Sequence, residues 1–253
     1  MAPVTDILMY HSVSGVGGAT ATPPAVFAMQ MRVLAESGLP VLDMDQWFAA
    51  RKSGQLPHHS VVITFDDGFQ DFADVAWPEM RSCGFRPIVY LPTDFVGRAE
   101  GWKGIGSPPR ALMGWGTIGS LVDEGVLFGS HTVSHADLTS LDDQMLDREL
   151  TQAKSMLEQR LDRQIHHFAP PYGLANNRVR AQIARHYRTS VSTRLAQART
   201  GDDFFDLPRL EMFYFTDEAR WRAHLAGRGR AYLARRKLLR GIKAAIMKPW
   251  AGL

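Results

Sequence analysis

Short apolar, β-branched segments recur along this chain, each followed by a polar motif and then by a stretch of helical periodicity. The segments beginning at Ile7, Val61, Ile88, Val126, Ile165, Thr189 and Leu207 have the composition of strands buried on both faces. Between them, Pro23-Pro24 opens a helix to about Ser37, with proline in the first turn where its missing N–H costs little. Further helices are expected over 44–50, 71–83 (stopped by Gly84), 115–124, 141–161 and 176–186. The longest carries Met145, Leu146, Leu150, Ala153, Met156, Leu157 and Leu161 at helical spacing. Residues 96–113, rich in Gly and Pro, read as a loop. The alternation of strands and helices implies an α/β fold with a parallel sheet and helices outside it. About seven such units fit an irregular or incomplete (β/α) barrel. Chemistry in such barrels sits at the C-terminal ends of the strands.

The polar motifs fall at those ends. Thr64-Phe-Asp-Asp-Gly68 places two adjacent carboxylates after a buried strand. Like charges raise one another's pKa unless a cation or donor intervenes, so a metal held by one Asp, with the other left free as a base, would relieve them; a plain Asp-Asp-Gly turn is the alternative. His131-Thr-Val-Ser-His135 offers two imidazoles that project to one side from either a helix or an extended chain, a pair suited to Zn²⁺; two surface histidines are the alternative. Two His and one carboxylate make an open metal site with room for water and substrate. Phe168-Ala-Pro-Pro-Tyr-Gly173 fixes the backbone after a strand and brings an aromatic to the rim, or is simply a rigid turn.

In order and spacing, these three motifs resemble the polysaccharide deacetylases, the NodB-homology family of carbohydrate esterases, over roughly residues 5–212. The resemblance implies metal-dependent removal of N-acetyl groups from an amino sugar in a polysaccharide or its lipid-linked precursor. It assigns Asp66 as general base, Asp67, His131 and His135 as metal ligands, and the Tyr172 backbone N–H as an oxyanion donor. The chain departs from the family in two places. Ala169 stands where an arginine usually opens the third motif, and the late Leu-x-His motif is missing, His224 lying in Ala-His-Leu. Leu8-Met-Tyr-His11 instead resembles the subgroup with permuted motif order, similar to poly-N-acetylglucosamine deacetylases. There His11 becomes the general acid, expected on the far side of the metal from Asp66. Arg209 is the candidate for orienting Asp66, and Trp115, Pro171 and Arg209 are expected around the sugar. The implied cofactor is a divalent metal, Zn²⁺ first, with Co²⁺ or Ni²⁺ as alternatives. Two other readings stay open: a deformylase or deacetylase of a small amine or lipid-linked amino sugar, and a catalytically degenerate carbohydrate-binding module.

Composition and charge bound the rest. The chain has 253 residues, ample for one large α/β domain, and a single cysteine, Cys83, so an intrachain disulfide is excluded. No Walker loop or Gly-x-Gly-x-x-Gly is present, and no nucleic-acid partner is expected. The first ten residues lack a basic start and a long apolar run, so no secretory signal is expected, and no stretch reaches the roughly 18–20 apolar residues of a membrane span. The net charge of +3 is uneven: from Ala219 onward there are ten Lys/Arg and no Asp/Glu, which leaves the rest near −7. This divides the chain into a catalytic domain, 1–218, and a basic helical tail, 219–253. In the tail, Leu233, Leu238, Leu239, Ile242 and Ile246 recur near helical spacing and Trp250 follows. Such a helix either packs its apolar stripe on the barrel or lies on an anionic membrane surface, the latter fitting a cytoplasmic enzyme peripheral to the membrane's inner face.

Overall fold

The computed structural model describes residues 2–18, 20–102 and 108–247, with side chains as far as 242. Seven parallel strands form the barrel wall: β1 (Val4–Tyr10), β2 (His59–Phe65), β3 (Ile88–Leu91), β4 (Leu127–Ser130), β5 (His167–Phe168), β6 (Thr189–Leu195) and, after the two-residue antiparallel β7 (Ala198–Arg199), β8 (Leu207–Glu211). Their spatial order is β2-β3-β4-β5-β6-β8-β1, and β1 pairs again with β2, so the barrel closes rather than remaining incomplete. The closure is the strongest seam, running in continuous register from Val4↔His59 to Tyr10↔Phe65. The opposite wall is irregular: β4 and β5 pair only at Ser130↔Phe168, and β6 shifts register against β8 between Val191 and Leu195.

Seven helices surround the wall: α1 (Pro24–Glu36), α2 (Met44–Lys52), α3 (Trp77–Ser82), α4 (Trp115–Asp123), α5 (Asp143–Leu161), α6 (Asn177–His186) and α7 (Glu218–Ala223). The helix expected over 71–83 is split into a π turn, Phe72–Ala76, and α3. Pro78 explains the break, since it has no N–H to return to the preceding turn. On α5 the apolar stripe packs through Leu146, Leu150, Ala153, Leu157 and Leu161, while Met145 and Met156 are exposed.

Strand side chains alternate between the outer helices and the barrel interior. Ile7, Val62, Ile88, Tyr90, Val191 and Leu207 form an inner cluster that Met44 and Trp47 of α2 plug from the N-terminal end. The Trp47 indole N–H donates to Thr5 Oγ1 at 2.9 Å, satisfying its one polar atom inside the plug. The same period of two continues upward. Residues 7, 9 and 11, then 62, 64 and 66, then 207, 209 and 211 share the inner face, so the strand ends must deliver His11, Asp66 and Glu211 to the barrel's upper mouth.

Within the tail expected from residue 219, Trp221, His224 and Leu225 are buried, and the Trp221 indole N–H donates to Gln30 O at 3.0 Å. Beyond them α8 (Arg230–Met247) is helical. Tyr232 and Leu233 pack on the core, whereas Leu238, Leu239 and Ile242 are exposed. The Ile246 side chain and Trp250 lie outside the described residues. Among the described residues no helix is long and apolar enough to cross a membrane.

Candidate active site

The upper mouth holds a cleft of about 300 Å³ lined by His11, Asp66, Asp67, His131, His135, Tyr172 and their neighbours. The ligand atoms of Asp67, His131 and His135 all lie within 4.8 Å of one another, and both imidazole Nε2 atoms stand 3.3 Å from Asp67 Oδ1. His131 Nδ1 lies 2.7 Å from the Ala169 carbonyl, which can only accept; the proton is therefore on Nδ1 and the Nε2 lone pair faces Asp67. His135 Nδ1 lies 3.3 Å from the Tyr172 hydroxyl, which can donate or accept.

Convergence is achieved by neither a helix nor an extended strand. Among the described residues five non-glycine positions have positive φ, and four of them are here: Asp67 (73°), Thr132 (73°), His135 (58°) and Tyr172 (61°). Each such residue costs of order 1 kcal/mol or more, and such strain collects at functional sites. The cost is offset by fixed partners. The Glu149 carboxylate of α5 accepts from Val133 N, Ser134 N and Ser134 Oγ at 2.7–3.0 Å, and His135 N donates to Thr132 Oγ1 at 2.9 Å. Asp71 does the same for the His11 loop, accepting from Val13 N at 3.0 Å. At Gly68 (φ +74°) an added Cβ would drive into the Leu91 side chain, so the turn after Asp67 admits no side chain.

Arg209 answers for the arginine absent at Ala169. Its guanidinium donates to both Asp66 oxygens at 2.7 Å, to Thr64 Oγ1 at 3.1 Å and, through Nε, to Ser192 O at 3.0 Å. Burial is the largest influence on Asp66 and would raise its pKa, but the Arg209 charge and hydrogen bonds, joined by His11 and His131, together outweigh it and hold the carboxyl below its ordinary value. Arg209 is 1% exposed and lies beneath the cleft, against Asp66.

Burial likewise opposes charge on Asp67, and the neighbouring imidazoles of His131, His135 and His11 together overcome it, leaving the carboxyl far below its usual range. Burial lowers the pKa of His135, keeping its ring neutral with a lone pair to give. Burial acts the same way on His131, but Asp67 and Asp66 reverse it and raise its proton affinity. Two imidazole nitrogens and a carboxylate that converge on one spot fit a divalent cation.

Two expected positions are corrected. His11 Nε2 lies 3.8 Å from Asp66 Oδ2, beside that carboxylate rather than across from it, because β1 and β2 are paired and end together. Trp115 sits at the start of α4 with the Arg160 guanidinium 5.5 Å over its ring and does not line the cleft. The aromatics at the mouth are Tyr172 and Trp102, the latter stacked on His135 with centroids 3.9 Å apart. Pro171 is buried inside a 3₁₀ turn and shapes the backbone at Tyr172, whose own side chain is half exposed. His224 is at the other end of the barrel, bonded to Asp6 at 2.9 Å. Sequence reasoning passed over Trp102, Glu149 and Glu211; the last lines the cleft as the inward position two beyond Arg209.

A family model described as polysaccharide deacetylase matches residues 53–191. YxkH of Bacillus subtilis (strain 168), which carries a polysaccharide deacetylase name, is 24% identical over 208 residues, 81% of this chain and 70% of its own. Among solved structures, the Streptococcus pyogenes deacetylase PplD superposes with a TM-score of 0.73 at 23% identity, covering 83% of this chain and 92% of PplD. IcaB from Ammonifex degensii gives 0.74 at 20% identity, covering 90% and 97%. These structures share the fold, and with the family match spanning more than half of the sequence, the chain belongs to the polysaccharide deacetylase family.

Proposed function

We propose that the cleft hydrolyses the N-acetyl group of an amino sugar, in a polysaccharide or its lipid-linked precursor, with Asp66 as base, His11 as acid and the Tyr172 N–H as oxyanion donor. The observation that carries the reading is the Asp67–His131–His135 cluster with an oriented, ionised Asp66 beside it at an open cleft. Those three residues would hold a divalent ion, Zn²⁺ by their donor set, which supplies a Lewis acid that polarises the acetamide carbonyl and acidifies water.

Asp66 takes the proton of the attacking water as its oxygen bonds to the carbonyl carbon. Arg209 holds both carboxylate oxygens, so one face of Asp66 is fixed toward the cleft. The Tyr172 N–H follows two prolines that have none and is turned by a positive φ, a donor aimed at the developing oxyanion. His11 protonates the nitrogen as the C–N bond breaks, since an amide nitrogen leaves poorly as an anion. Standing 3.8 Å from Asp66, His11 recovers its proton there, and the cycle closes on acetate and a free amine. PplD is described in complex with acetate, the product this reading expects.

The body extends to residue 229 on this reading, and α8 is the separate basic element, suited to an anionic membrane's inner face. The test is acetate release from a panel of N-acetylated glycans and lipid-linked sugars with bound metal quantified. One ion per chain and equimolar acetate and amine are expected. A chain that binds glycans with no stoichiometric metal and no acetate is a binding module instead.

A further inference from the structure

The Asp66 charge is consumed by Arg209 below the cleft, yet a second guanidinium reaches the cleft from outside the barrel. Arg240 of α8 lines it together with His11 and Glu211. The helix is seated for this. Tyr232 OH donates to Tyr214 O at 2.6 Å, Arg236 lies over the Tyr214 ring at 4.8 Å, and Leu233 packs on the core. Leu233, Arg236 and Arg240 follow at spacings of three and four, one face of one helix, so the packing that seats Leu233 and Arg236 turns Arg240 toward the cleft. Leu238 and Ile242, also four apart, are exposed on the opposite face.

Arg240 forms no hydrogen bond or ion pair among the described residues. Glu211 is near enough to feel its charge without pairing with it, and burial pushes the Glu211 carboxyl upward, toward the neutral form. A guanidinium fork left unpaired at the mouth of a site is a ready partner for two oxygens of one anion. The cleft, about 300 Å³, lies at the small end of ligand pockets and suits one sugar with its substituent.

We propose that Arg240 is the specificity-determining residue of this cleft and binds a phosphate carried by the amino sugar, so that the substrate is an N-acetylated glycosyl phosphate. This rests on the deacetylase reading and narrows its substrate. The phosphate is either free in solution or linked to lipid. The outer face of α8, with exposed Leu238 and Ile242 flanked by Arg235 and Lys237, is compatible with the second source.

The experiment measures acetate release and equilibrium binding by the full chain with three probes: N-acetylglucosamine, N-acetylglucosamine 1-phosphate, and polyprenyl diphosphate-linked N-acetylglucosamine in phosphatidylglycerol vesicles. Wild type is expected to favour a phosphorylated probe over the neutral sugar by about tenfold or more in kcat/KM, the worth of a charged hydrogen-bonded contact. Arg240→Ala removes that preference through KM, and Arg240→Lys restores part of it. Preference for the vesicle probe over the soluble phosphate names the lipid source, and the reverse names the free one. Equal use of neutral and phosphorylated sugars, or a preference that survives Arg240→Ala, overturns the proposal. If no probe yields acetate, the deacetylase reading fails by itself. Binding of the 1-phosphate then decides Arg240: weakening by about tenfold in Arg240→Ala upholds its role, and unchanged binding overturns it.

Discussion

Both ends of the barrel hold a buried aspartate between two histidines, and the two clusters differ in what they can do. At the lower end Asp6 Oδ2 accepts from His59 Nε2 at 2.8 Å and His224 Nε2 at 2.9 Å, while Oδ1 accepts from Gln197 at 2.9 Å. Those are closed hydrogen bonds, each with its proton between the partners. Asp6 comes from the regular strand β1 and ties together β2, the segment after β6 and the turn after α7. At the upper end the His131 and His135 nitrogens stand 3.3 Å from Asp67, their lone pairs converge on an open cleft, and the backbone that brings them there is strained. Identical residue types thus make a clamp in one place and a metal-capable site in the other. What separates them is which ring atom carries the proton. The Ala169 carbonyl accepts from His131 Nδ1–H and leaves its Nε2 free, whereas among the described residues His224 Nδ1 has no partner and its Nε2–H donates to Asp6.

The sharpest way to break this contrast is to remove each aspartate in turn. Asp67→Ala should abolish bound metal and lower kcat/KM by about a thousandfold or more, as losing a Lewis acid worth several kcal/mol requires. Asp6→Ala should keep the metal but destabilise the fold by about 3 kcal/mol or more, the cost of stranding buried partners of a broken pair. Metal analysis and thermal unfolding of both variants check it; metal loss in Asp6→Ala with an intact fold would merge the two clusters.

Next in size is Arg209→Met. Metal content should hold, while kcat falls by about 10²-fold or more as Asp66 loses its orientation. With the guanidinium gone, burial raises the Asp66 pKa, so the acid limb of the kcat/KM profile should move to higher pH. An unmoved limb would mean that Asp66 is not the base.

The clamp has its own pH signature. Partners hold the Asp6 carboxyl well below its ordinary value despite complete burial. A depressed folded-state pKa contributes stability above the unfolded value, about 3.9, and loses it as pH falls through the folded value. The gap in urea midpoint between wild type and Asp6→Asn should therefore be full at neutral pH and shrink as pH falls below about 4. A gap constant across that window would remove Asp6 ionisation from the account.

The smallest effect separates the two tryptophans. Trp102→Ala should raise KM several-fold, by roughly 1 kcal/mol of lost stacking cover at the cleft. Trp115→Ala should leave KM unchanged, because that ring packs under Arg160. The opposite pattern would return the sugar platform to α4.

Much of the architecture was legible in the chain, because parallel strands buried on both faces write continuous apolar runs and leave their polar residues at the ends. His11, Asp66, Asp67, His131 and His135 could be picked out for that reason, each one directly following such a run or closing a short motif. Local sequence carried no such mark for Glu149, Trp102, Glu211 or Arg240, which reach the site from another helix, a long loop, the end of another strand and the last helix. Arg209 lies between: its short motif was visible, but its bidentate hold on Asp66 depends on β8 lying two strands from β2 in a closed wall. The sequence by itself determined strand, helix and the identity of the reactive groups, since periodicity and residue chemistry are local properties. Only the tertiary structure decided that the barrel closes, that His11 stands beside Asp66 rather than opposite it, and that Arg240 returns to the cleft. Each of those is a meeting of segments distant in sequence, set by which strands pair and where a packed helix points.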